Sequence, residues 1–455
     1  MLVIISDVHL GDGTAASSIS PSAFHLFSNR LRETAYYASF RRDGSYRPIE
    51  DLDLLLLGDI LDPLHSTLWL DTAPGAPDYT RPWTDPGSPN FADMLSKTTN
   101  AILSVNQEAL DVLQRCANGE IVLLPPANAR GEPDADSKER IPIRVRIHYM
   151  VGNHDWYYGL PGQRFDEIRK NIVESMGLCN DTGPFPYDLD EHPALRAELA
   201  SYRVLARHGD YYDKFNFNRE KGRNHSALGD IFTMDVCNRY PVEVQRRYGD
   251  QLPAGIIESL RQITNIRPTL AMPLWISGQI KRHAGSAGLE TDLKKVWDDL
   301  CDQFLQLEAV REEDKAFKFD IVDAMQLLLK VSKRTSFETL NDIVIWIQDR
   351  LHEDGHSLAR HALQEPAFLD NSARFIVYGH THHHEIIALD SDGEPPDEQN
   401  QLCINSGTWR PYYNLAVKDP TEQKFVQYQT LTYLTFYKDD ERAGRLVETW
   451  SGAYI

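Results

Sequence analysis

Short apolar runs followed by polar residues recur along the first half and the last part of the chain. Runs of this length, bounded by turn-forming residues, predict buried strands. The predicted strands cover residues 1–6, 54–57, 121–124, 141–150, 202–206, 374–377, 386–389 and 402–404, with a closing hairpin over 431–450. Apolar residues three or four positions apart predict helices. These helices cover residues 21–40, 91–117 and 164–177. The alternation is typical of an α/β fold.

A long stretch before the last strands has a different pattern, because its apolar residues repeat at helical spacing. Two such repeats, over residues 293–307 and 337–351, predict amphipathic helices. We therefore predict a mostly helical insertion over residues 211–365, within a main domain formed by residues 1–210 and 366–455. The insertion is expected to act either as a lid that selects substrates or as an element of oligomerisation.

Five predicted strands end in residue types that bind metal ions. The five motifs are Asp7-Val8-His9, Gly58-Asp59, Gly152-Asn153-His154-Asp155, His208-Gly209-Asp210 and Gly379-His380-Thr381-His382. Binding groups in α/β sheets collect beyond the carboxyl ends of strands. We expect the backbone there to be extended still, so that residues two apart point to the same side. Gly379 would let the chain approach closely.

These motifs, in this order, resemble those of the calcineurin-like metallophosphoesterase superfamily. Their form is similar to the bacterial branch that includes UDP-2,3-diacylglucosamine pyrophosphohydrolase, and the resemblance covers about half of the chain. It implies a four-layer α-β-β-α sandwich with two metal ions at the ends of the strands. The implied metal ligands are Asp7, His9, Asp59, Asn153, His208, His380 and His382.

The resemblance also implies a role for each of these side chains. Asp7, His9, Asp59 and His382 would hold one ion, and Asp59 would bridge to the second. The remaining three ligands would complete the second ion's shell. His154 would lie near the phosphoryl group as a catalytic residue, with Asp155 behind it to fix its tautomer and keep it protonated.

The chemistry of the donor set agrees with two divalent cations. Imidazole and carboxylate suit manganese, iron or zinc, of which manganese is expected first, and the chain offers no cysteine pair for a thiolate site. Two such cations, two aspartates and a metal-bound hydroxide leave a net charge of about +1, which attracts a phosphate ester. Metal-bound water can ionise near pH ~7, so that no separate strong base is needed.

Several neighbouring residues allow two interpretations each. Asp62 could contact the site, although a turn cap is favoured. Trp156, Tyr157 and Tyr158 could stack on a substrate, although core packing is favoured. Residues 211–230 could contact substrate phosphate or sugar, or could form a polar linker.

The amino-acid composition limits which binding partners and which cellular compartment are expected. The chain has 455 residues, with 47 Lys and Arg against 67 Asp and Glu, which gives a net charge of −20. This balance disfavours broad binding of nucleic acid. Five scattered cysteines fit a reducing interior. No apolar run approaches the ~20 residues of a membrane-spanning helix. The chain opens in a strand with no room for a signal peptide, so a cytoplasmic location is expected.

The leading hypothesis is an enzyme that hydrolyses a phosphodiester or pyrophosphate bond in a small or nucleotide-like phosphate ester. A DNA or RNA nuclease, whose basic surface a partner subunit could supply, is the second. A non-catalytic scaffold that keeps the fold is the third. A lipid-linked substrate has little support, because the insertion lacks an obvious strongly apolar helix for acyl chains.

Overall fold

The computed structural model describes residues 1–267, 269–283, 286–314, 358–392, 399–416, 418 and 424–453, and in these it is a mixed α/β protein. The predicted helix over residues 337–351 lies outside the described residues. The strands are β1 (Leu2–Ile5), β2 (Leu52–Leu57), β3 (Val122–Leu124), β4 (Ile141–Ile143), β5 (Val145–Met150), β6 (Val204–Ala206), β7 (Ile266–Arg267), β8 (Phe375–Tyr378), β9 (His384–Asp392), β10 (Gln399–Ser406), β11 (Tyr412–Leu415), β12 (Phe425–Tyr428), β13 (Thr430–Phe436) and β14 (Val447–Ala453).

Helices follow β1, β2, β5, β6 and β7 along the chain. They are α1 (Pro21–Ala38), α2 (Pro89–Val105), α3 (Gln107–Ala117), α4 (Gln163–Met176), α5 (Pro193–Ser201), α6 (Leu228–Phe232), α7 (Arg239–Tyr248), α8 (Ile256–Arg261), α9 (Met272–Arg282), α10 (Ala287–Gln306) and α11 (Glu308–Asp314). A π-helical segment, Thr233–Asn238, joins α6 to α7, and two short helices, Ala359–Ala362 and Pro366–Leu369, precede β8. Each predicted strand is present, and α1, α4 and α10 confirm three predicted helices.

Two sheets carry the five motifs. The first has the order β14-β13-β1-β2-β5, in which β1, β2 and β5 are parallel and β13 and β14 form the predicted hairpin. The second has the order β6-β8-β10-β9, in which β6, β8 and β10 are parallel. Each motif therefore follows the carboxyl end of a parallel strand, where side chains from neighbouring strands can meet.

Successive residues of β1 pack alternately into two different hydrophobic cores. Val3 and Ile5 of β1 pack with the helices α1 to α4, whereas Leu2 and Ile4 pack with residues of the second sheet, such as Phe375. This is the two-residue period of a strand that is buried on both faces. The first sheet is thus covered by helices on one face and by the second sheet on the other. Tyr157 and its two aromatic neighbours lie in the first of these cores, which confirms the core interpretation for residues 156–158.

The region predicted as one helix over residues 91–117 is two helices that meet at Asn106. The side-chain amide of Asn106 donates to the carbonyl of Ile102 at 2.8 Å and to the carbonyl of Gly11 at 2.9 Å. The first bond gives a partner to a backbone carbonyl in the last turn of α2, and the second holds the loop that follows β1. A helical break with this function has no signature in the apolar spacing, because apolar residues continue on both sides of it.

The described part of residues 211–365 has an apolar core of its own, which includes Trp275, Trp297 and Phe304. It is joined to the rest of the molecule by a third sheet of order β12-β11-β7. In that sheet β7 pairs in parallel with β11, so that Arg267 lies opposite Asn414. The domain boundaries themselves stay a prediction. Among the described residues, no helix is both long enough and apolar enough to cross a membrane.

Candidate metal centre

All seven predicted ligand side chains meet beyond the ends of the strands. We call Asp7, His9 and His382 the His382 side of the site, and Asn153, His208 and His380 the His380 side. Asp59 lies between them, with its Oδ2 atom 3.8 Å from His9 Nε2 and 3.3 Å from His208 Nε2. Side chains separated by up to 375 positions of the sequence thus form one buried cluster.

The backbone at these residues is not extended, contrary to our expectation. Asp7, His9, Asp59, His380 and His382 all have positive φ angles, from 51° to 65°. The left-handed region is uncommon for residues with a Cβ, and such strain persists where surrounding contacts fix it. The aspartate and histidine pairs therefore converge through left-handed turns rather than through a continued strand.

Hydrogen bonds from behind hold this strained backbone. Thr408 Oγ1 donates to the carbonyl of Asp7 at 2.6 Å, and Asn405 Nδ2 donates to the carbonyl of Gly379 at 2.6 Å. Ser6 Oγ bonds to the Asp7 carboxylate. The segment after β10 thus fixes the first and last motifs relative to one another.

Two glycines are required by close packing at the ligands. A Cβ at Gly379 would lie 2.6 Å from Asp7 Oδ2, which confirms the predicted close approach of this residue. A Cβ at Gly152 would lie 2.7 Å from His208 Nε2 and would also collide with the Asp59 carboxylate. A side chain at either glycine would push apart ligands from two different strands.

On the His382 side, the nitrogen and oxygen atoms face one another at contact distance. His382 Nε2 lies 3.0 Å from His9 Nε2 and 3.0 Å from Asp7 Oδ1. With Asp59, these residues offer four ligand atoms that lie within 4.8 Å of one another. His9 donates from Nδ1 to Asp62 at 2.8 Å, so its Nε2 atom remains directed at the cluster. Such an arrangement could hold a metal ion.

On the His380 side, Asn153 Oδ1 lies 3.2 Å from His208 Nε2 and 3.0 Å from His380 Nδ1. His208 donates from Nδ1 to the carbonyl of Leu57 at 2.9 Å, which leaves its Nε2 directed at Asn153 and Asp59. The other ring nitrogen of His380 lies 3.0 Å from Asp213 Oδ2. Each imidazole therefore turns one nitrogen to a protein acceptor and the other to the cluster, as metal-binding histidines do.

The surroundings of the Asp59 carboxylate are the best indication that the site binds a cation. Asp59 is 1% exposed, and its Oδ1 atom accepts from the backbone N–H of His154 at 2.8 Å. Its Oδ2 atom is buried and has no well-aligned hydrogen-bond donor among the described residues. A buried carboxylate oxygen without a donor is costly unless a positive charge satisfies it. The donor set and this oxygen both fit divalent cations.

The electrostatics of the cluster also favour positive charge. Burial by itself would lower the pKa of His208, but the carboxylates of Asp59 and Asp7 outweigh it and raise that pKa well above its usual value. Burial would raise the pKa of Asp59, yet His208 and His154 lower it well below its usual range. The negative potential that favours a protonated imidazole would attract a metal cation in the same way.

The structure corrects the role that we expected for Asp155. Its carboxylate does not hold the His154 ring; it accepts from Gly152 N at 2.6 Å, from Tyr149 Oη at 2.7 Å and from Ile60 N at 2.9 Å. Asp155 is fully buried at the start of the following turn, so it fixes the loop that carries His154. Although Asp155 and His154 are adjacent in the sequence, their side chains point in different directions.

Asp62 contacts the His154 ring instead. His154 Nδ1 lies 3.2 Å from Asp62 Oδ1, and His9 and His65 both donate from Nδ1 to Asp62 Oδ2, at 2.8 and 2.6 Å. Asp62 also accepts from the backbone N–H of His65 at 3.0 Å, so the favoured turn cap is confirmed as well. These four residues form a second group that could hold a metal, but here Asp62 already pairs with all three rings.

The carboxylates around His154 favour its protonated form. Burial would lower its pKa, but the charges of Asp62 and Asp59 outweigh burial and raise the pKa of His154 to about 9. The ring centroid lies 4.7 Å from that of His9 and 5.0 Å from that of His65. A protonated imidazole thus lies at the edge of the His382 side, where it can donate a proton or a hydrogen bond.

Sequence reasoning missed three residues that line this centre. They are His65, Arg267 and Arg410. Only His65 had a local signal, because it lies three positions after Asp62 in the same turn. Arg267 lies in the region predicted as the insertion, and Arg410 lies just after the end of β10. Asp213, one of many polar residues in the segment 211–230, is the one whose side chain lies at His380.

No protein-family model matches the chain, and no curated protein matches it either. What supports the site is therefore its own geometry. Three features carry it: convergent ring nitrogens, an Asp59 oxygen with no well-aligned donor among the residues described, and the left-handed backbone at five of the seven ligands.

Proposed function

We propose that this chain is a metal-dependent phosphoesterase of the calcineurin-like metallophosphoesterase superfamily, which hydrolyses a phosphodiester or pyrophosphate bond. In this proposal the two packed sheets and their helices are the four-layer α-β-β-α sandwich of that superfamily. The observation that carries the proposal is Asp59 Oδ2, a buried oxygen that lies between His9 and His208 and has no well-aligned donor in the described part of the chain. A carboxylate in this position is suited to bridge two cations.

The donor set assigns each proposed cation its residues. The His382 side and the His380 side would each hold one divalent cation, with Asp59 shared, and manganese is the first candidate. When bound, the cations would activate water as the nucleophile and neutralise charge on the phosphoryl group. Asn153 is neutral, so the site would retain the positive charge that attracts a phosphate ester.

His154 is the proposed general acid of the reaction. Its imidazolium would donate to a phosphoryl oxygen or protonate the leaving group, and Asp62 Oδ1, 3.2 Å from Nδ1, would orient the ring. Asp62 would also keep the ring charged, because its carboxylate raises the pKa of His154. In this division of roles Nδ1 of His154 bonds to Asp62, and the Nε2 atom would contact the substrate.

Hydrolysis of bis(4-nitrophenyl) phosphate by the purified full-length chain tests this proposal. We expect turnover with Mn²⁺, its loss with a chelator and its recovery when Mn²⁺ is returned. His208→Ala should lower turnover by more than the roughly 10–100-fold typical of residues that only orient a ligand. His25→Ala is the matched control, because His25 lies on α1 with its side chain 50% exposed and should leave turnover unchanged. Inactivity towards both this diester and a pyrophosphate diester, with Mn²⁺, Fe²⁺ and Zn²⁺ in protein that binds them, would contradict the proposal.

A further inference from the structure

Arg267, at the end of β7, brings a guanidinium from the helical insertion to a proposed metal ligand. Its Nη2 atom lies 3.2 Å from His382 Nδ1. Its Nη1 atom donates to the carbonyls of Ile266 and Thr264 at 2.9 and 3.1 Å, and the guanidinium lies over the Tyr412 ring at 4.8 Å from the centroid. These contacts position the guanidinium at the edge of the His382 side.

The contact between Arg267 and His382 has a fixed polarity. A guanidinium only donates, so His382 Nδ1 must be the acceptor and must carry no proton. A neutral imidazole that binds a cation through Nε2 carries its proton on Nδ1, and His382 Nε2 is the atom that faces His9 and Asp7. Arg267 cannot keep this hydrogen bond while His382 holds a cation. Metal binding therefore frees the Nη2 atom for another acceptor.

Among the described residues, no carboxylate forms an ion pair with Arg267, so no paired carboxylate stands ready to accept that hydrogen bond. The nearby Arg410 is 6% exposed, lies 3.8 Å from Asp62 and donates to Thr264 Oγ1 at 2.8 Å, so its charge is already directed into the protein. Arg267, which is only partly buried, thus brings a positive charge to the site that is not paired with a carboxylate in the part of the chain that the structure describes.

We propose that Arg267 is a substrate-binding residue that turns from His382 to a phosphoryl oxygen, and that it selects substrates with two adjacent phosphoryl groups. This inference rests on the proposed function. A simple diester carries about one negative charge, which balances the net charge of about +1 expected at the two cations. A pyrophosphate diester carries one further negative charge, and Arg267 is the group placed to balance it. The favoured substrate class is therefore a pyrophosphate rather than a simple phosphodiester.

Binding of two matched anions to the manganese-loaded full-length chain tests this inference without catalysis. The probes are dimethyl phosphate and the non-hydrolysable P,P′-dimethyl methylenebisphosphonate, measured by calorimetry. We expect Arg267→Met to weaken binding of the bisphosphonate by tenfold or more, about 1.4 kcal/mol, and to change that of dimethyl phosphate much less. Arg267→Lys, which keeps the charge, should restore part of the difference. Equal losses for both probes, or no loss for either, would overturn the inference.

The manganese content and melting temperature of Arg267→Met separate binding from a structural role. Both should stay at wild-type values, because Arg267 donates to His382 rather than coordinating metal; a loss of manganese would overturn the inference. Arg261→Met is the matched control, since Arg261 lies on α8 and pairs with Glu258 at 3.4 Å. Arg267-dependent binding without hydrolysis of any phosphoester would refute the proposed function alone. Hydrolysis of a simple diester with anion binding that ignores Arg267 would refute this inference alone.

Discussion

The two sides of the centre receive similar ligands from the sheets but opposite charges from the region predicted as a helical insertion. At the His380 side, Asp213 lies with its carboxylate 3.0 Å from His380. At the His382 side, Arg267 lies with its guanidinium 3.2 Å from His382. The two histidines are only two positions apart in the sequence, so their surroundings, not their motif, make them different.

Because of this difference, two similar sets of ligands are expected to have different functions. A carboxylate behind an imidazole fixes its orientation and strengthens it as a ligand, so the His380 side is expected to bind its cation more tightly. A guanidinium behind an imidazole weakens that imidazole as a metal ligand, until the guanidinium turns to a substrate anion. The His382 side, where His154 also lies, is therefore expected to be the side at which substrate is bound and protonated.

The largest expected effect concerns His154. His154→Ala should lower kcat for an aryl phosphodiester by about 10²–10⁴-fold, because it removes the proposed acid. The manganese content should remain at the wild-type value, since the His154 ring bonds to Asp62 and not to a ligand atom of either side. Steady-state kinetics and metal analysis of the same preparation measure both. Loss of manganese in this variant would mean that His154 is itself a ligand.

Asp213→Asn is expected to have the next largest effect, on the His380 side alone. It removes the negative charge at His380 and should weaken the tighter of two manganese-binding steps by about 10–100-fold. Stepwise calorimetric titration with Mn²⁺ measures this. Glu220→Gln, an exposed change in the same segment 211–230, is the control. If Asp213→Asn weakened both steps equally, the proposed difference between the two sides would be wrong.

A smaller effect is expected from Asp62→Asn, and it should depend on pH. In the wild type, the Asp62 charge raises the pKa of His154 to about 9, so the ring stays protonated through pH 8. Without that charge the pKa should fall towards its usual value of about 6.5. The variant should therefore approach wild-type kcat at pH 6 and fall about 30-fold below it at pH 8. A constant ratio of the two kcat values across this range would contradict the role of Asp62.

The sequence was sufficient to predict what depends on local pattern. Strand ends at Asp7, Asp59, Asn153, His208 and His380 follow from apolar runs that stop at polar residues, and these ligands do converge. The same reasoning failed where a residue's neighbour in space is distant in sequence. Asp155 follows His154 directly, yet the His154 ring turns to Asp62, which lies 92 positions earlier.

Two further features of the site could not be predicted, because no pattern in the sequence indicates them. The left-handed backbone at His380 and His382 depends on support from the segment after β10, not on their own residue types. Arg267 is one of many arginines in the region predicted as an insertion, and the pairing of β7 with β11 brings it to the centre. Both features arise from long-range contacts, which apolar spacing and residue type do not encode.

The manganese content of the wild type and of Asp59→Asn tests the shared centre most directly. Metal analysis of protein dialysed against Mn²⁺ should give two ions per chain for the wild type. It should give fewer than one for the variant, because Asp59 lies between the two sides and its Oδ2 atom has no other well-aligned donor. A wild type that binds no manganese, or a variant that still binds two ions, would contradict a centre bridged by Asp59.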